Sequence, residues 1–390
     1  MIMMTITMIG HKGVPSRAGG IERHVEELST ALAMRGMRVI SFDRKWYVGD
    51  ADPIVGVERR WSHGVNTKHL DAITHTCSAI FLARRDRPDI VHIHGVGPSL
   101  LAPLARLIHP RAKIVATFHC EDRKHAKWGA VARFMLWLGE ACACAFAHRT
   151  ITVSDRLASY CLETYGCQSS LIPNGVRVTR GAAPELLSNW NLTPNTYFAL
   201  VTRLIPHKNV HIGIEAHMEL AKRRPDLAEA HPLVIVGGSA FTDEYVSELK
   251  AFIGSYPNVI MTGEQHGETV KSIQEYALGH LSISSSEGMS LSLLEAMSFA
   301  KPVIVSDIRE NSDVVETDAL LVKTNDVMSL SHAMEFLIEM TPLEREAMGD
   351  LLAARTVARH DWGTIAEETQ RVYEEVLTNA RGARVRVLAA

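Results

Sequence analysis

Cysteine is scarce and poorly arranged for chemistry. The 390 residues include 6 cysteines (Cys77, Cys120, Cys142, Cys144, Cys161 and Cys167), all in the first half of the chain, and no pair makes a C-x-x-C. This argues against a disulfide framework and leaves reduced, buried thiols. Excess charge is also missing: 41 Lys and Arg against 44 Asp and Glu give a net −3, which excludes nucleic-acid binding through bulk charge. The 19 histidines include no H-E-x-x-H and no acid–histidine cluster with ligand spacing, so no metal site is expected. Neither G-x-G-x-x-G nor G-x-x-x-x-G-K-[ST] occurs, which weakens the dinucleotide and P-loop readings. An uninterrupted apolar run is absent too, because WGAVARFMLWLGEACACAFA at 128–147 carries Arg133 and Glu140 in its interior. The N-terminal MIMMTITMIG has neither a basic leader nor a small-residue cleavage site, and suits a buried first strand. A cytoplasmic protein is the expectation.

What is present is a repeated alternation. Hydrophobic residues make up 46% of the chain, enough for two cores. The runs TITMIG, RVISFD, DIVHIHG, KIVATFH and RTITVS are separated by amphipathic stretches such as IERHVEELSTALAMRG. The pattern then restarts with YFALVTR, PLVIVGG, NVIMTG, HLSISSS, PVIVSD and ALLVKT. Apolar strands alternating with helices predict βαβ units, so the expected class is α/β, with two Rossmann-like, doubly wound parallel-sheet domains facing a central cleft. The Pro-, Gly- and Asn-containing connector near 174–195 separates them, giving domains at 1–178 and 190–362. A final helix over 363–390 is expected to pack back on the first domain.

Strand ends in such sheets are where ligands bind. SISSSEGMSLSLLEAMSFAKPVIVSD (282–307) holds two glutamates, Glu287 in the loop after a strand and Glu295 about a turn and a half inside the following helix. VTRLIPHKNVHIGIEAH places Arg203 after a strand and Lys208 before a helix, a pair of cations suited to a diphosphate. GHKGVPSRAGGIERHVEEL brings Gly10, Gly13, Gly19 and Gly20 to the start of a long helix, where amides can approach a phosphate. His94 and His119 stand at two further strand ends, the latter followed by Asp122 and Lys127. Asp50-Ala51-Asp52 has the spacing of a metal-binding acid pair but precedes a proline and reads as a turn.

Taken together, these motifs resemble glycosyltransferase family 4, the retaining nucleotide-sugar transferases of the GT-B fold. E-x7-E with its EAM, KPVI and SD elements, the arginine–lysine loop, PNGV at 173–176 and the GG turn occur in family order over essentially the full length. The resemblance implies that Glu287 contacts donor-sugar hydroxyls and Glu295 the nucleotide ribose. Arg203 and Lys208 match the diphosphate ligands, Gly19 and Gly20 the loop near the diphosphate, and His119 the histidine near the sugar. Gly288, Met289, Ser290 and Leu291 complete the donor-binding loop. Met289, Ser290, Ser292 and Ala300 replace the phenylalanine, glycine, proline and glycine common in relatives, so the donor's identity is not carried over. TKHLDAITHT (67–76) and KWG (127–129) further resemble bacterial rhamnosyl- and hexosyltransferases of surface-polysaccharide assembly.

The implied reaction moves a hexosyl or deoxyhexosyl unit from a nucleoside-diphosphate sugar to a saccharide or polyprenyl-diphosphate-linked acceptor. It retains anomeric configuration and needs no metal and no cofactor besides the donor substrate. A nucleotide-sugar epimerase of similar two-domain shape and a non-catalytic sugar-nucleotide binding protein are the alternatives. Arg123, Lys124, Lys127 and Arg133 beside Trp128, Phe134, Leu136 and Trp137 suit either a helix on an anionic membrane or a core helix with a solvated basic end.

Overall fold

The computed structural model describes residues 3–388 apart from 18, 68–69, 125–127, 178 and 241, and omits the side chains of 124 and 379–388. Lys127 and the side chain of Lys124 therefore lie outside the described residues. Two compact units form, Met1–Gly175 with Trp362–Ala390, and Val176–Asp361.

The first unit holds a parallel sheet of β1 (Thr5–Ile9), β2 (Arg38–Arg44), β3 (Val57–Ser62), β4 (Ile90–His94), β5 (Lys113–Phe118), β6 (Arg149–Thr152) and β7 (Ser170–Leu171), in the order β3-β2-β1-β4-β5-β6-β7. The inner strands are apolar because both faces are covered: β1 and β4 are buried almost throughout. Side chains alternate along β4. Val91 and Ile93 enter one core layer, while Ile90 enters the other, under the helices Gly20–Met34 and Trp362–Leu388. His92 and His94 share parity with Ile90 and so meet those helices.

Two strands of this sheet are absent from the sequence reading. β7 is 2 residues long. β3, VERRWS, lacks an apolar run because it is the edge strand, held to β2 in register and by Arg38 Nε donating to Glu58 at 2.7 Å.

The second unit holds β8 (Phe198–Val201), β9 (Leu233–Val236), β10 (Val259–Gly263), β11 (Gly279–Ser282), β12 (Val303–Ser306) and β13 (Leu320–Val322), in the order β10-β9-β8-β11-β12-β13. All the pairs are parallel. The segment read as a connector belongs to this unit from Val176 onward. Glu275 draws in the amides of Gly181 and Ala182 at 2.8 Å each, and the 3₁₀ helix Pro184–Trp190 buries Leu187 in the core. By this division the second unit begins at Val176, beside the expected limit of 178 and ahead of that of 190. Turn-rich composition marked a change of unit, but backbone amides and an apolar side chain of this segment have partners within the second.

The last helix, Trp362–Leu388, packs within the first unit, burying Ile365, Ala366, Thr369, Val372, Tyr373 and Val376. That spacing is one apolar stripe of a helix. In both sheets the strand order reverses once, between β1 and β4 and between β8 and β11. These are the switch points where open α/β sheets leave a crevice at the carboxyl ends of their strands.

Candidate functional site

In the second unit, the β8 and β11 loops meet at the switch point. The 3₁₀ helix Pro206–Lys208 ends at Asn209, whose φ of 55° turns the chain into the helix Val210–Arg223. Asn209 Nδ2 donates to the Ile283 carbonyl at 2.9 Å, and the Ser285 amide donates to the His207 carbonyl at 2.9 Å. Stitched together in this way, the two loops set Lys208 Nζ against Glu287 Oε1. Ser284 Oγ donates to the same oxygen at 2.7 Å. Both charged side chains are largely buried, at 12% and 9% exposure. Burial alone would raise the Glu287 carboxyl, but the adjacent ammonium and the hydrogen bonds from Lys208 and Ser284 outweigh it and hold Glu287 below the usual carboxylate range.

A pocket opens over this pair, walled by Thr202, Lys208, Ser284, Glu287, Ser290 and Ser292 among others. Ser290 caps the helix Leu291–Ser298, accepting from the Leu293 amide at 3.4 Å, so that helix's positive end faces the same space. Gly237 supports the wall from behind. At φ 153°, it lies so close to the Thr202 carbonyl that a Cβ would sit 1.8 Å from it, and any side chain would displace the loop that carries Arg203.

Of the sequence-predicted residues, Lys208, Glu287 and Ser290 line this pocket; buried Gly288 and half-buried Met289 lie in the same loop, and half-buried Leu291 opens the helix after it. Arg203 is exposed beside Thr202, and half-buried Glu295 lies farther along the helix, where Gln274 Nε2 approaches its Oε2 at 3.5 Å. Neither lines the pocket. Thr202, Ser284 and Gln274 were missed: a strand-end Thr or Ser has no distinguishing sequence signal, and Gln274 is 21 residues from Glu295.

The first unit gathers a different set. His94 ends β4, His119 follows β5, and adjacent register brings His94 Nδ1 to 3.3 Å from His119 Nε2. His24, on the helix Gly20–Met34, has its ring centroid 4.7 Å from His119 and 5.6 Å from His94, and its Nδ1 lies 2.9 Å from Asn174 Oδ1. His92 Nδ1 meets Tyr373 Oη at 2.7 Å, and Trp362 packs its ring 5.4 Å from that of His24. All these histidines are buried. Burial drives their pKa values down, to about 4 for His24 and about 3 for His92, with His94 and His119 also well below the usual range.

Gly19 starts the helix at φ 107°, and a Cβ there would lie 2.1 Å from Glu22 Oε2; Gly20 is its first residue. Glu22 and Glu26 accept from the amides of Lys12 and Ser16 at 3.1 and 2.9 Å, so the loop is held by its own helix. His24 and His92 carried no sequence signal, being single histidines inside regular elements. Asp50 and Asp52 lie in the turn and coil after Val48, as the proline suggested. All 6 cysteines are free thiols. Among the described residues, no helix is long and apolar enough to cross a membrane.

Two family models match the chain, Glycosyltransferase Family 4 over residues 18–180 and Glycosyl transferases group 1 over residues 188–350. A phosphatidyl-myo-inositol mannosyltransferase of Mycolicibacterium smegmatis is 26% identical over 383 residues, covering 95% of this chain and 94% of that protein. The Escherichia coli UDP-Gal:alpha-D-GlcNAc-diphosphoundecaprenol alpha-1,3-galactosyltransferase is 27% identical over 268 residues, 65% of this chain and 67% of that one. Among solved structures, sucrose-phosphate synthase from Thermosynechococcus elongatus superposes with a TM-score of 0.81 at 20% identity, covering 96% of this chain and 100% of that chain. The shared fold is GT-B.

Proposed function

The chain belongs to glycosyltransferase family 4, and from that premise we propose that it moves a hexosyl or deoxyhexosyl unit from a nucleoside-diphosphate sugar to a saccharide or polyprenyl-diphosphate-linked acceptor, with retention and without a metal. The observation that carries this reading is the Lys208–Glu287 pair at the β8–β11 switch point, joined by Ser284 and facing the Ser290-capped helix end. A buried ammonium beside a helix N-terminus is built to hold a diphosphate and to stabilise its charge as it departs. Glu287, kept ionised by Lys208, orients the donor sugar through its hydroxyls. Arg203 adds a second cation on the diphosphate, and Glu295 takes the ribose. By the family match, His119 is assigned to the sugar and the Gly19-Gly20 turn to the diphosphate.

These groups suit an internal-return mechanism. The glycosidic C–O bond to the phosphate breaks, the departing phosphate oxygen takes the proton of the acceptor hydroxyl, and that hydroxyl's oxygen bonds to the anomeric carbon on the face the leaving group vacated. Atoms and charge balance without a covalent enzyme nucleophile or a metal, the leaving phosphate serving as the base. The relatives named for mannosyl and galactosyl transfer, one onto a phosphoinositide and one onto a diphosphoundecaprenol, support a lipid-linked acceptor and a role in bacterial surface-polysaccharide assembly.

A lipid-linked acceptor also favours contact with the inner face of the plasma membrane. On the helix Ala130–Phe146, Val131, Phe134 and Trp137 are 79%, 56% and 41% exposed, and Arg133 is exposed beside them. Arg123 is not part of that surface charge, being engaged by Glu140 and Tyr160 at 3.0 and 2.6 Å. Flotation with anionic liposomes at low salt is expected to carry the protein, and a Phe134→Ser/Trp137→Ser double variant to stay behind; equal recovery of both removes this surface from the reading.

The deciding experiment incubates the chain with a panel of nucleotide sugars, with and without polyprenyl-linked acceptors, in excess chelator. Acceptor-dependent transfer with retained configuration is expected. Release of an epimerised sugar without acceptor, an inverted product, or activity restored only by magnesium or manganese overturns the corresponding part.

A further inference from the structure

We infer that His24, His94 and His119 together form a binding site for one divalent cation of the zinc class. One ligand atom from each residue falls within 4.8 Å of the other two. The 3.3 Å between His94 Nδ1 and His119 Nε2 equals the edge of a tetrahedron built on zinc–nitrogen bonds of about 2.0–2.1 Å. The three ring centroids are 4.7, 5.6 and 5.6 Å apart, close to the roughly 5 Å expected of imidazoles sharing one such ion.

Two further observations are independent of that spacing. His24 Nε2 is buried and has no hydrogen-bond partner, although the residue is only 3% exposed. An orphaned lone pair there is costly unless something accepts it. The outer nitrogens are also arranged as in metal sites. His24 Nδ1 faces the Asn174 carbonyl oxygen at 2.9 Å, which fixes the ring with Nε2 unprotonated, and His94 Nε2 faces Met8 Sδ at 3.4 Å, which leaves its Nδ1 as the acceptor. An all-imidazole donor set selects zinc, copper, nickel or cobalt, whereas magnesium and calcium require oxygen ligands. Three protein ligands leave a fourth position open.

One consequence rests on the transferase reading above: an ion at this site takes His119 from the donor sugar, so zinc inhibits transfer and a chelator restores it.

The full chain, dialysed free of metal, is titrated with Co²⁺ and then Zn²⁺. One equivalent of Co²⁺ is expected to give the intense visible bands of four-coordinate cobalt, lost as Zn²⁺ displaces it, with a matching rise in Tm. His24→Gln, His94→Gln and His119→Gln are each expected to weaken binding at least tenfold, and His266→Gln, an exposed histidine of the second unit, to leave it unchanged. Should a ligand variant fail to fold, Asn174→Ala keeps all three ligands and is expected to weaken binding by about 10–100-fold. Absence of stoichiometric binding by the folded parent, or binding untouched by these variants, overturns the site. Zinc bound with undiminished transfer leaves the site standing and overturns the inhibition.

Discussion

At the β8–β11 switch point, a lysine and a glutamate are set against each other in the wall of a small pocket. At the strand ends of β4 and β5, by contrast, His24, His92, His94 and His119 are packed ring to ring, buried, and kept neutral by desolvation. The same sheet geometry therefore supports two kinds of site. The first holds opposite charges in fixed positions, the kind of preorganisation from which electrostatic stabilisation is strongest. The second spends its polar groups on one another and on Asn174, Thr117 and Tyr373, so its order depends on packing and on which ring nitrogen carries a proton. Changes in the charged pair should thus appear mainly in turnover and binding, and changes at His24 and His92, the members of the cluster not assigned to substrate, mainly in stability and its pH dependence.

The largest effect is expected from Lys208→Ala. On the proposed reading, removing the ammonium takes away the stabiliser of the leaving diphosphate and strands Glu287, and losses of this type cost turnover about 10²–10³-fold, or roughly 3–4 kcal/mol. Transfer rates measured beside a circular-dichroism check of folding test it. A folded variant within threefold of the parent would mean that the pair is structural only.

Next comes Glu295→Gln, expected to weaken binding of bare nucleoside diphosphate by roughly 1.5–3 kcal/mol, the worth of a charged acceptor to a ribose hydroxyl. Glu287→Gln should instead bind the bare nucleotide nearly normally and transfer slowly, because its contact strengthens in the transition state. Calorimetry and a transfer assay on both variants separate the roles. If both bind and turn over like the parent, the two glutamates lie outside the chemistry.

Lys208, Glu287 and the strand-end histidines His94 and His119 were each legible in the sequence, whereas the Lys208–Glu287 contact and the addition of His24 and His92 were not, and the reason is physical. Glu287, Ser290 and Glu295 lie on one contiguous loop and helix, so local periodicity already places them after one strand, and Lys208 reaches Glu287 because neighbouring strands β8 and β11 end together. The six strand runs of the second unit and five of the first were legible for the same reason: apolar runs must be buried on both faces. The histidine cluster joins a helix, two strand ends and Asn174, spanning 150 residues between His24 and Asn174 alone, and no periodicity links such positions. The helix Trp362–Leu388 was legible as a helix, but its contacts with His24 and His92 depend on the tertiary fold. VERRWS escaped because edge strands pair through backbone and charge and need no apolar run.

A pH titration sharpens the contrast. A buried histidine with depressed pKa binds fewer protons folded than unfolded, so its contribution to stability is intact above about pH 6.5, its unfolded value, and is lost as pH falls toward its folded value. For His24 that window runs from about 6.5 down to about 4. His24→Gln should flatten the slope of unfolding free energy in this window by up to about 1.4 kcal/mol per pH unit. Hydrogen exchange followed on peptides of each unit assigns the change, which should appear in the first unit and leave the second unmoved. His280, buried in the second unit with a pKa of about 4, keeps its own slope there. A slope equal to the parent's would mean that His24 is not desolvated in solution.

The smallest effect expected is that of Tyr373→Phe. Its hydroxyl lies 2.7 Å from His92 Nδ1, while His92 Nε2 lies 2.7 Å from Thr117 Oγ1, so the tyrosine completes a chain from the last helix to β5. Phenylalanine preserves the ring packing and removes only the hydrogen bond, worth about 1 kcal/mol net. For a unit of this size, that lowers Tm by about 2–4 °C. Transfer should remain within about twofold of the parent, because His92 is one ring removed from His119 and the variant leaves the His94–His119 contact in place. A tenfold loss of transfer with unchanged Tm would reverse the comparison: the histidine cluster would then be set for chemistry through its hydrogen-bond chain, and the last helix would belong to the catalytic apparatus.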